Sequence, residues 1–398
     1  MTQVSDRLAA LSPSETLAMS QKSNELKAQG IDVINLSVGE PDFTTPEHIK
    51  TAAKRAVDEN YSFYSPVPGY LPLRNAIVAK LKKENNLDYK PEQIVCSNGA
   101  KQSVCNVLMC IIGKGDEVIV PAPYWVSYVE MVKLAEGTNV IVEAGIEQDF
   151  KITPAQLEAA ITPKTKAIIL CSPSNPTGSV YTREELKGLA DVLANYPNII
   201  IIADEIYEHI NYIGLHESIA QFENVRDRVV IVNGVSKAYA MTGWRIGWIA
   251  APQWIASACN KLQGQYTSGP CSVAQKAAEA AYTGDQKCVL EMKAAFERRR
   301  DLIVNLLKEI PGLKVNKPFG AFYVFPECDF YFGKASPSGK SINDAADLAM
   351  YLLEEGHVAC VGGAAFGAPR CIRLSYATSD ENLIEAAKRI NNALSKLS

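Results

Sequence analysis

Asn198-Ile-Ile-Ile-Ile-Ala-Asp204-Glu-Ile-Tyr207 is a short apolar run that stops abruptly at two carboxylates and a phenol. Four consecutive isoleucines make both faces of a strand apolar, so this strand is expected in a sheet covered on both sides. Just upstream, Thr182–Asn195 has a helical pattern and opens with Thr182-Arg-Glu-Glu185. That is a capping box, in which each end satisfies the other's free N–H. Runs of similar texture lie on either side: Gln93–Ser97, Glu117–Pro121, Lys166–Cys171, Val229–Asn233 and Arg245–Ala250. Helical patterns at Ala100–Cys110 and Tyr124–Ala135 separate them. Strands alternating with helices predict βαβ units and a mostly parallel sheet, hence an α/β fold.

After about residue 285 the texture changes. A long charged helix, Cys288–Glu309, ends at Pro311-Gly312; strand-like Ala321–Pro326, a helix Ile342–Glu355, strand-like Cys371–Tyr376 and a helix from Ser379 follow. This reads as a smaller α+β domain. Near the amino end, a helix (Glu15–Ala28) and a short strand (Val33–Leu36) are expected to pack on it. The resulting division is 1–44 as an N-terminal segment, 45–285 as the large domain and 286–398 as the small C-terminal domain.

The 398 residues carry 40 basic and 44 acidic side chains, a net charge of −4, which gives no footprint for nucleic acid. No apolar run reaches the ~18 residues of a membrane span. Met1–Leu11 is polar and mixed, unlike a secretory or transit peptide. The ten cysteines form no CxxC, and neither they nor the four histidines have metal-ligand spacing. The expectation is a cytoplasmic protein with reduced thiols and no metal.

In open α/β sheets ligands bind beyond the carboxyl ends of the strands, so the residues that follow each strand are the candidates for a site. After Gln93–Ser97 comes Asn98-Gly99-Ala100-Lys101, opening a helix whose free N–H groups suit a phosphate. After Lys166–Cys171 comes Ser172-Pro-Ser-Asn175-Pro-Thr-Gly178, a turn that is unremarked alone. Asp204 and Tyr207 end the isoleucine run, and a buried carboxylate there needs a partner. Gly234-Val-Ser236-Lys237 follows Val229–Asn233, with Arg245 eight residues later. One ligand uses the whole set: pyridoxal 5′-phosphate. Its aldehyde needs a lysine amine, its pyridine nitrogen an acid partner, and its phosphate helix N–H groups and a cation.

The set resembles the class I aminotransferases of PLP fold type I, nearly end to end. Gly39-Glu-Pro-Asp-Phe43, Pro123-Tyr-Trp125, Asn175-Pro-Thr-Gly178, Asp204-Glu-Ile-Tyr207, Ser236-Lys237, Gly243-Trp-Arg-Ile-Gly247 and Arg373-Leu-Ser-Tyr376 occur in the family's order. Asn233-Gly-Val-Ser-Lys-Ala-Tyr-Ala-Met-Thr-Gly-Trp-Arg-Ile-Gly247 is similar to the thermophile-like branch of bacterial aspartate aminotransferases. The resemblance implies a mostly parallel seven-stranded sheet between helices plus a smaller domain; six of those strands are located above.

It also implies roles. Lys237 matches the lysine that carries the cofactor and moves the proton between substrate Cα and cofactor. Asp204 matches the partner of the pyridine nitrogen, and Asn175 and Tyr207 the pair on the ring hydroxyl. Trp125 matches the stacking aromatic. Arg245, Ser236, Lys101 and the backbone at Gly99 and Ala100 match the cofactor cradle. Tyr64 matches a tyrosine reaching the phosphate from the neighbouring subunit, which implies a homodimer with shared active sites. Arg373, with Gly39 beside it, matches the clamp for the substrate α-carboxylate, near Trp125 and Asn175.

Two departures stand out. Gly234 occupies a position where many members carry a phosphate-binding Ser. No Arg lies between Arg245 and Arg298, so the usual partner-subunit Arg for a side-chain carboxylate is missing. Lys101, Ser14 and Thr16 are the expected substitutes. The implied activity is transfer of the amino group from aspartate to a 2-oxo acid, most simply 2-oxoglutarate. Aromatic, kynurenine or prephenate transamination, β-elimination, and a ligand-sensing regulator domain are the alternatives.

Overall fold

The computed structural model describes residues 4–398. Seven strands form its central sheet: β1 (Ile94–Ser97), β2 (Glu117–Ala122), β3 (Thr138–Glu143), β4 (Thr165–Cys171), β5 (Ile200–Asp204), β6 (Val229–Gly234) and β7 (Gly247–Ala250). Their order is β1-β7-β6-β5-β4-β2-β3, and only β7 runs antiparallel to its neighbours. β5 lies near the middle and is buried along its whole length, as its apolar run requires. The capping box at Thr182 is formed, with its side chain accepting from Glu185 N and Glu185 accepting from Thr182 N.

The seventh strand, β3, was the one not located in the sequence. It is an edge strand, Thr-Asn-Val-Ile-Val-Glu, in which only Val142 is buried and the apolar run is just three residues long. β7 starts two residues later than the pattern suggested, because Arg245 takes a left-handed backbone (φ 58°) that breaks the extended chain. For the same reason Ala321 (φ 55°) shortens the expected strand Ala321–Pro326 to Tyr323–Val324.

The carboxyl-terminal part builds a three-stranded antiparallel sheet, in which Ile372–Ser375 lies between Val361–Gly362 and Tyr323–Val324. Helices Lys287–Lys308, Ala345–Glu354 and Asp380–Leu394 pack around it. Ile34–Asn35 pairs in parallel with Val358–Ala359, and Met19, Val33 and Leu36 join the same apolar cluster as Phe296, Leu348, Leu374 and Ile390. Ile206 and Tyr207, just beyond β5, belong to that cluster too. The end of the central strand is therefore fixed where the two sheets' cores meet. Among the described residues no helix is long and apolar enough to cross a membrane.

Candidate active site

Parallel strands bring their carboxyl ends to one edge of a sheet. Because β7 runs the other way, it is its beginning that reaches this edge, and Arg245 stands there. Loops after β1, β2, β4, β5 and β6 converge on the same edge around a cavity of about 540 Å³. Its lining includes Ala100, Lys101, Trp125, Asn175, Asp204, Tyr207, Ser236, Lys237, Arg245, Gly39 and Arg373, together with Ser14 and Thr16 from the N-terminal segment. Two expected residues are not on this wall. Gly99 lies behind it, under the Arg245 guanidinium, and Tyr64 is 97% exposed and away from the cavity of its own chain.

At one end of the cavity the chain builds an anion cradle. The helix Ala100–Ile111 presents N–H groups that have no carbonyl one turn earlier. Arg245 is tethered over them, donating to Thr242 O at 2.8 Å and to Asn98 O at 3.2 Å. The closeness depends on glycines. Gly99 has φ 83°, and a Cβ there would sit 2.7 Å from Arg245 Cζ. A Cβ on Gly247 would fall 2.7 Å from Ala100 Cα and closer still to the Ala100 amide nitrogen. The departure at Gly234 has the same origin: a Cβ there would meet Ile246 O at 2.7 Å and Gly247 Cα at 2.8 Å, so the β6–β7 contact has no room for Ser.

Deeper in the cavity, the Asp204 carboxylate is buried, and burial pushes its pKa up to about 6 against the opposing pull of Tyr128. Tyr128 Oη donates to Asp204 Oδ2 at 2.6 Å, and Ile206 N donates to Oδ1 at 3.3 Å. Between carboxylate and cradle stands Lys237, whose Nζ donates to Gly39 O at 2.6 Å. Burial lowers its pKa to about 8, and the Arg373 and Arg245 charges push the same way. Opposite, Arg373 is 2% exposed and gripped on three sides. Its Nη1 donates to Asn175 Oδ1 at 2.9 Å and its Nη2 to Ser37 O at 2.6 Å, while Tyr323 and Phe366 flank it at 4.6 and 4.9 Å. Its Nε has no partner among the described residues. Lys101 Nζ lies 4.9 Å from the Trp125 ring centre, and desolvation followed by the Arg245 charge lowers its pKa.

The donor set fits pyridoxal 5′-phosphate. A cradle that a Cβ would fill offers N–H groups and a guanidinium for the phosphate, a buried carboxylate suits a protonated ring nitrogen, and a low-pKa lysine lies between them. Sequence reasoning missed Tyr128, Tyr323 and the polar cluster behind the cavity. Tyr128 sits one helical turn after Trp125, a spacing that would have flagged a shared face. Tyr323, whose hydroxyl lies 2.8 Å from that of Tyr207, gave no signal beyond an aromatic in a short strand. The cluster brings Glu205, Glu208 and His216 within ligand distance of one another, but the Lys80 ammonium is already seated on Glu208.

The sequence profile of the family described as "Aminotransferase class I and II" matches residues 31–390. A protein of Cereibacter sphaeroides named "Aspartate/prephenate aminotransferase" is 50% identical over 392 residues, covering 98% of each chain. Among solved structures, the aspartate aminotransferase of Rhizobium meliloti superposes with a TM-score of 0.96 at 42% identity, covering 100% of both chains. The Thermus thermophilus aspartate aminotransferase with maleate gives 0.92 at 41% identity, covering 99% of this chain and 100% of the other.

Proposed function

The chain belongs to the class I and II aminotransferases, PLP-dependent enzymes, and on that premise we propose that it transfers the amino group of L-aspartate to 2-oxoglutarate, giving oxaloacetate and L-glutamate. One observation carries the choice of substrate. Aspartate beside the cofactor brings three anionic groups into the cavity, namely a phosphate and two carboxylates. Four cationic side chains line that cavity; Lys237 is given to the cofactor aldehyde, and the other three, Arg245, Arg373 and Lys101, are not ion-paired among the described residues. Arg245 takes the phosphate with the helix start. Arg373 offers a planar fork for the α-carboxylate. Lys101, with Ser14 and Thr16 across the opening, is left for the side-chain carboxylate.

When bound, the cofactor supplies an aldehyde that receives the amino group and a ring that withdraws electrons from the substrate Cα. In this reading Lys237 holds and moves the proton at its Nζ. A pKa near 8 leaves it a usable base close to neutral pH, and the bond to Gly39 O keeps it aimed. Asp204 holds the proton of the ring nitrogen. Tyr207 and Asn175 hydrogen-bond the ring hydroxyl, and Trp125 covers the ring face. Asn175 also ties Arg373 in place, so the group that orients the cofactor orients the substrate clamp. Tyr64, exposed on its own chain, serves the partner's phosphate in a homodimer.

The name of the Cereibacter relative favours prephenate as a second acceptor. Prephenate is a 2-oxo acid with a further carboxylate, so it draws on the same three cations. The test is a panel of amino donors against 2-oxoglutarate and prephenate, repeated with Lys101→Ala. A charge-assisted contact of roughly 1.5–3 kcal/mol predicts about a 10- to 150-fold loss of kcat/KM for aspartate and little change for an aromatic donor. Equal losses for both donors would remove Lys101 from substrate choice, and a dominant aromatic donor would overturn the aspartate reading.

A further inference from the structure

Among the described residues, the buried Asp204 carboxylate has no cation within ion-pair distance, and only two donors reach it. The bond from Ile206 N is long, at 3.3 Å, and follows from the turn geometry two residues on. The bond from Tyr128 Oη, at 2.6 Å, is the strong one and comes from a different element, the helix Ser127–Leu134 beyond β2. An ionised carboxylate only accepts, so the phenol must be the donor. The phenol is itself fully buried, and burial with the neighbouring carboxylate holds its pKa well above 10; it keeps its proton throughout the working range.

Tyr128 also packs edge-on against Trp125, with ring centres 5.3 Å apart at 87°, and its backbone N donates to Trp125 O at 3.0 Å. One side chain therefore touches both the ring expected to cover the cofactor and the carboxylate expected to hold its nitrogen. We propose that Tyr128 is a positioning residue, whose hydroxyl fixes the Asp204 carboxylate toward the cofactor nitrogen and stabilises its ionised form. This rests on the assignment of Asp204 to the ring nitrogen made above. It is a distinct statement, because Asp204 could serve that nitrogen without help from Tyr128.

Tyr128→Phe keeps the ring against Trp125 and removes only the donor. PLP is titrated into the cofactor-stripped chains of wild type, Tyr128→Phe, Asp204→Ala and the double variant, with binding followed by the visible chromophore. Losing one hydrogen bond to a buried charge predicts about 10- to 100-fold weaker PLP binding in Tyr128→Phe. If Tyr128 acts through Asp204, adding Tyr128→Phe to Asp204→Ala changes the affinity less than about twofold, because the acceptor is already gone. With saturating PLP, kcat of Tyr128→Phe falls while KM for aspartate holds within about twofold; a general distortion of the wall would raise KM as well. Wild-type affinity in Tyr128→Phe overturns the proposal, as do equal losses with and without Asp204. Wild-type affinity in Asp204→Ala overturns the nitrogen assignment, and the proposal with it.

Discussion

Gly247→Ala separates a glycine that merely ends a motif from one that makes room for a ligand. The added methyl carbon would lie 2.7 Å from Ala100 Cα, and nearer still to the Ala100 nitrogen and the Gly99 carbonyl carbon. An ordinary carbon contact needs roughly 3.5–4.0 Å, so the helix start has to retreat by at least about 0.8 Å. All three clashing atoms are backbone, and no rotamer change relieves them. Overpacking of this kind costs about 1–3 kcal/mol of stability. The retreating segment is also the one proposed to turn its N–H groups to the phosphate, and a misplacement near 1 Å in a positioned site is worth on the order of 100-fold. The assay is PLP titration of the stripped chain together with thermal melting of each variant. Gly145→Ala is the control, since its Cβ meets nothing within 4 Å and its φ of −85° suits alanine. The expected result is PLP affinity down about 100-fold and a lowered Tm in Gly247→Ala, with both unchanged in Gly145→Ala. If Gly247→Ala binds PLP as tightly as wild type while its Tm falls, the helix start is not the phosphate cradle.

Arg373→Lys replaces the fork by a point charge; losing two charge-assisted bonds, about 3 kcal/mol together, predicts roughly a 100-fold fall in kcat/KM with PLP affinity unchanged, and weaker PLP binding at constant KM would refute the clamp. Mixing Tyr64→Ala with Lys237→Ala chains is expected to restore activity towards one intact site per heterodimer, and no recovery despite demonstrated subunit exchange would exclude a shared site. The His216 side chain is 7% exposed, with Nε2 3.2 Å from Glu205 Oε2; desolvation alone would lower its pKa, but Glu205, followed by Glu208, overrides this and raises it above 6.5. A raised folded-state value means the pair stabilises fully below about pH 6.5 and fades as pH rises through that value, so His216→Gln is expected to lose about 1–3 kcal/mol at pH 6 and less at pH 9, and a pH-independent difference in Tm would contradict this.

What the sequence made legible follows from what repeats along a chain. Strands such as Ile200–Asp204 announce themselves because burial on both faces leaves no polar position, and the groups proposed to hold the cofactor sit at their ends, where a change of texture marks them. β3 was silent because an edge strand is half exposed, so its apolar run, Val140–Val142, is cut short by Asn139 and Glu143. Breaks at Arg245 and Ala321 were invisible because a left-handed φ in a non-glycine residue is imposed by tertiary contacts, not by local preference. The partners of Asp204 and Arg373, Tyr128 and the Ser37 carbonyl, lie 76 and 336 residues away in the chain. Pairings of that range depend on how the loops close, which no local pattern records.

The site also explains why so much polarity is buried next to it. Facing the cavity, Asp204, Lys237 and Arg373 take part in no ion pair among the described residues, and in Arg373 one donor is left over. Groups so poorly compensated favour a ligand that completes them, but they weaken the loops that carry them. Four residues past Asp204, on the far side of the same turn, Glu208 does the opposite. Its carboxylate is seated on the Lys80 ammonium and accepts from Asn233 Nδ2 at 2.9 Å and Asn85 Nδ2 at 3.1 Å. Burial alone would raise its pKa, but Lys80, His209 and His216 hold it well below the usual carboxylate range. Asn233 lies at the end of β6, four residues before Lys237, and its side chain also accepts from Gly234 N at 2.7 Å. Glu208 thus links the loop that carries Asp204 and Tyr207 to the loop that carries Lys237, and both to the helix Leu71–Asn85. In the proposed function the charges in front are the ones left to substrate and cofactor, while the charges behind are already paired with one another.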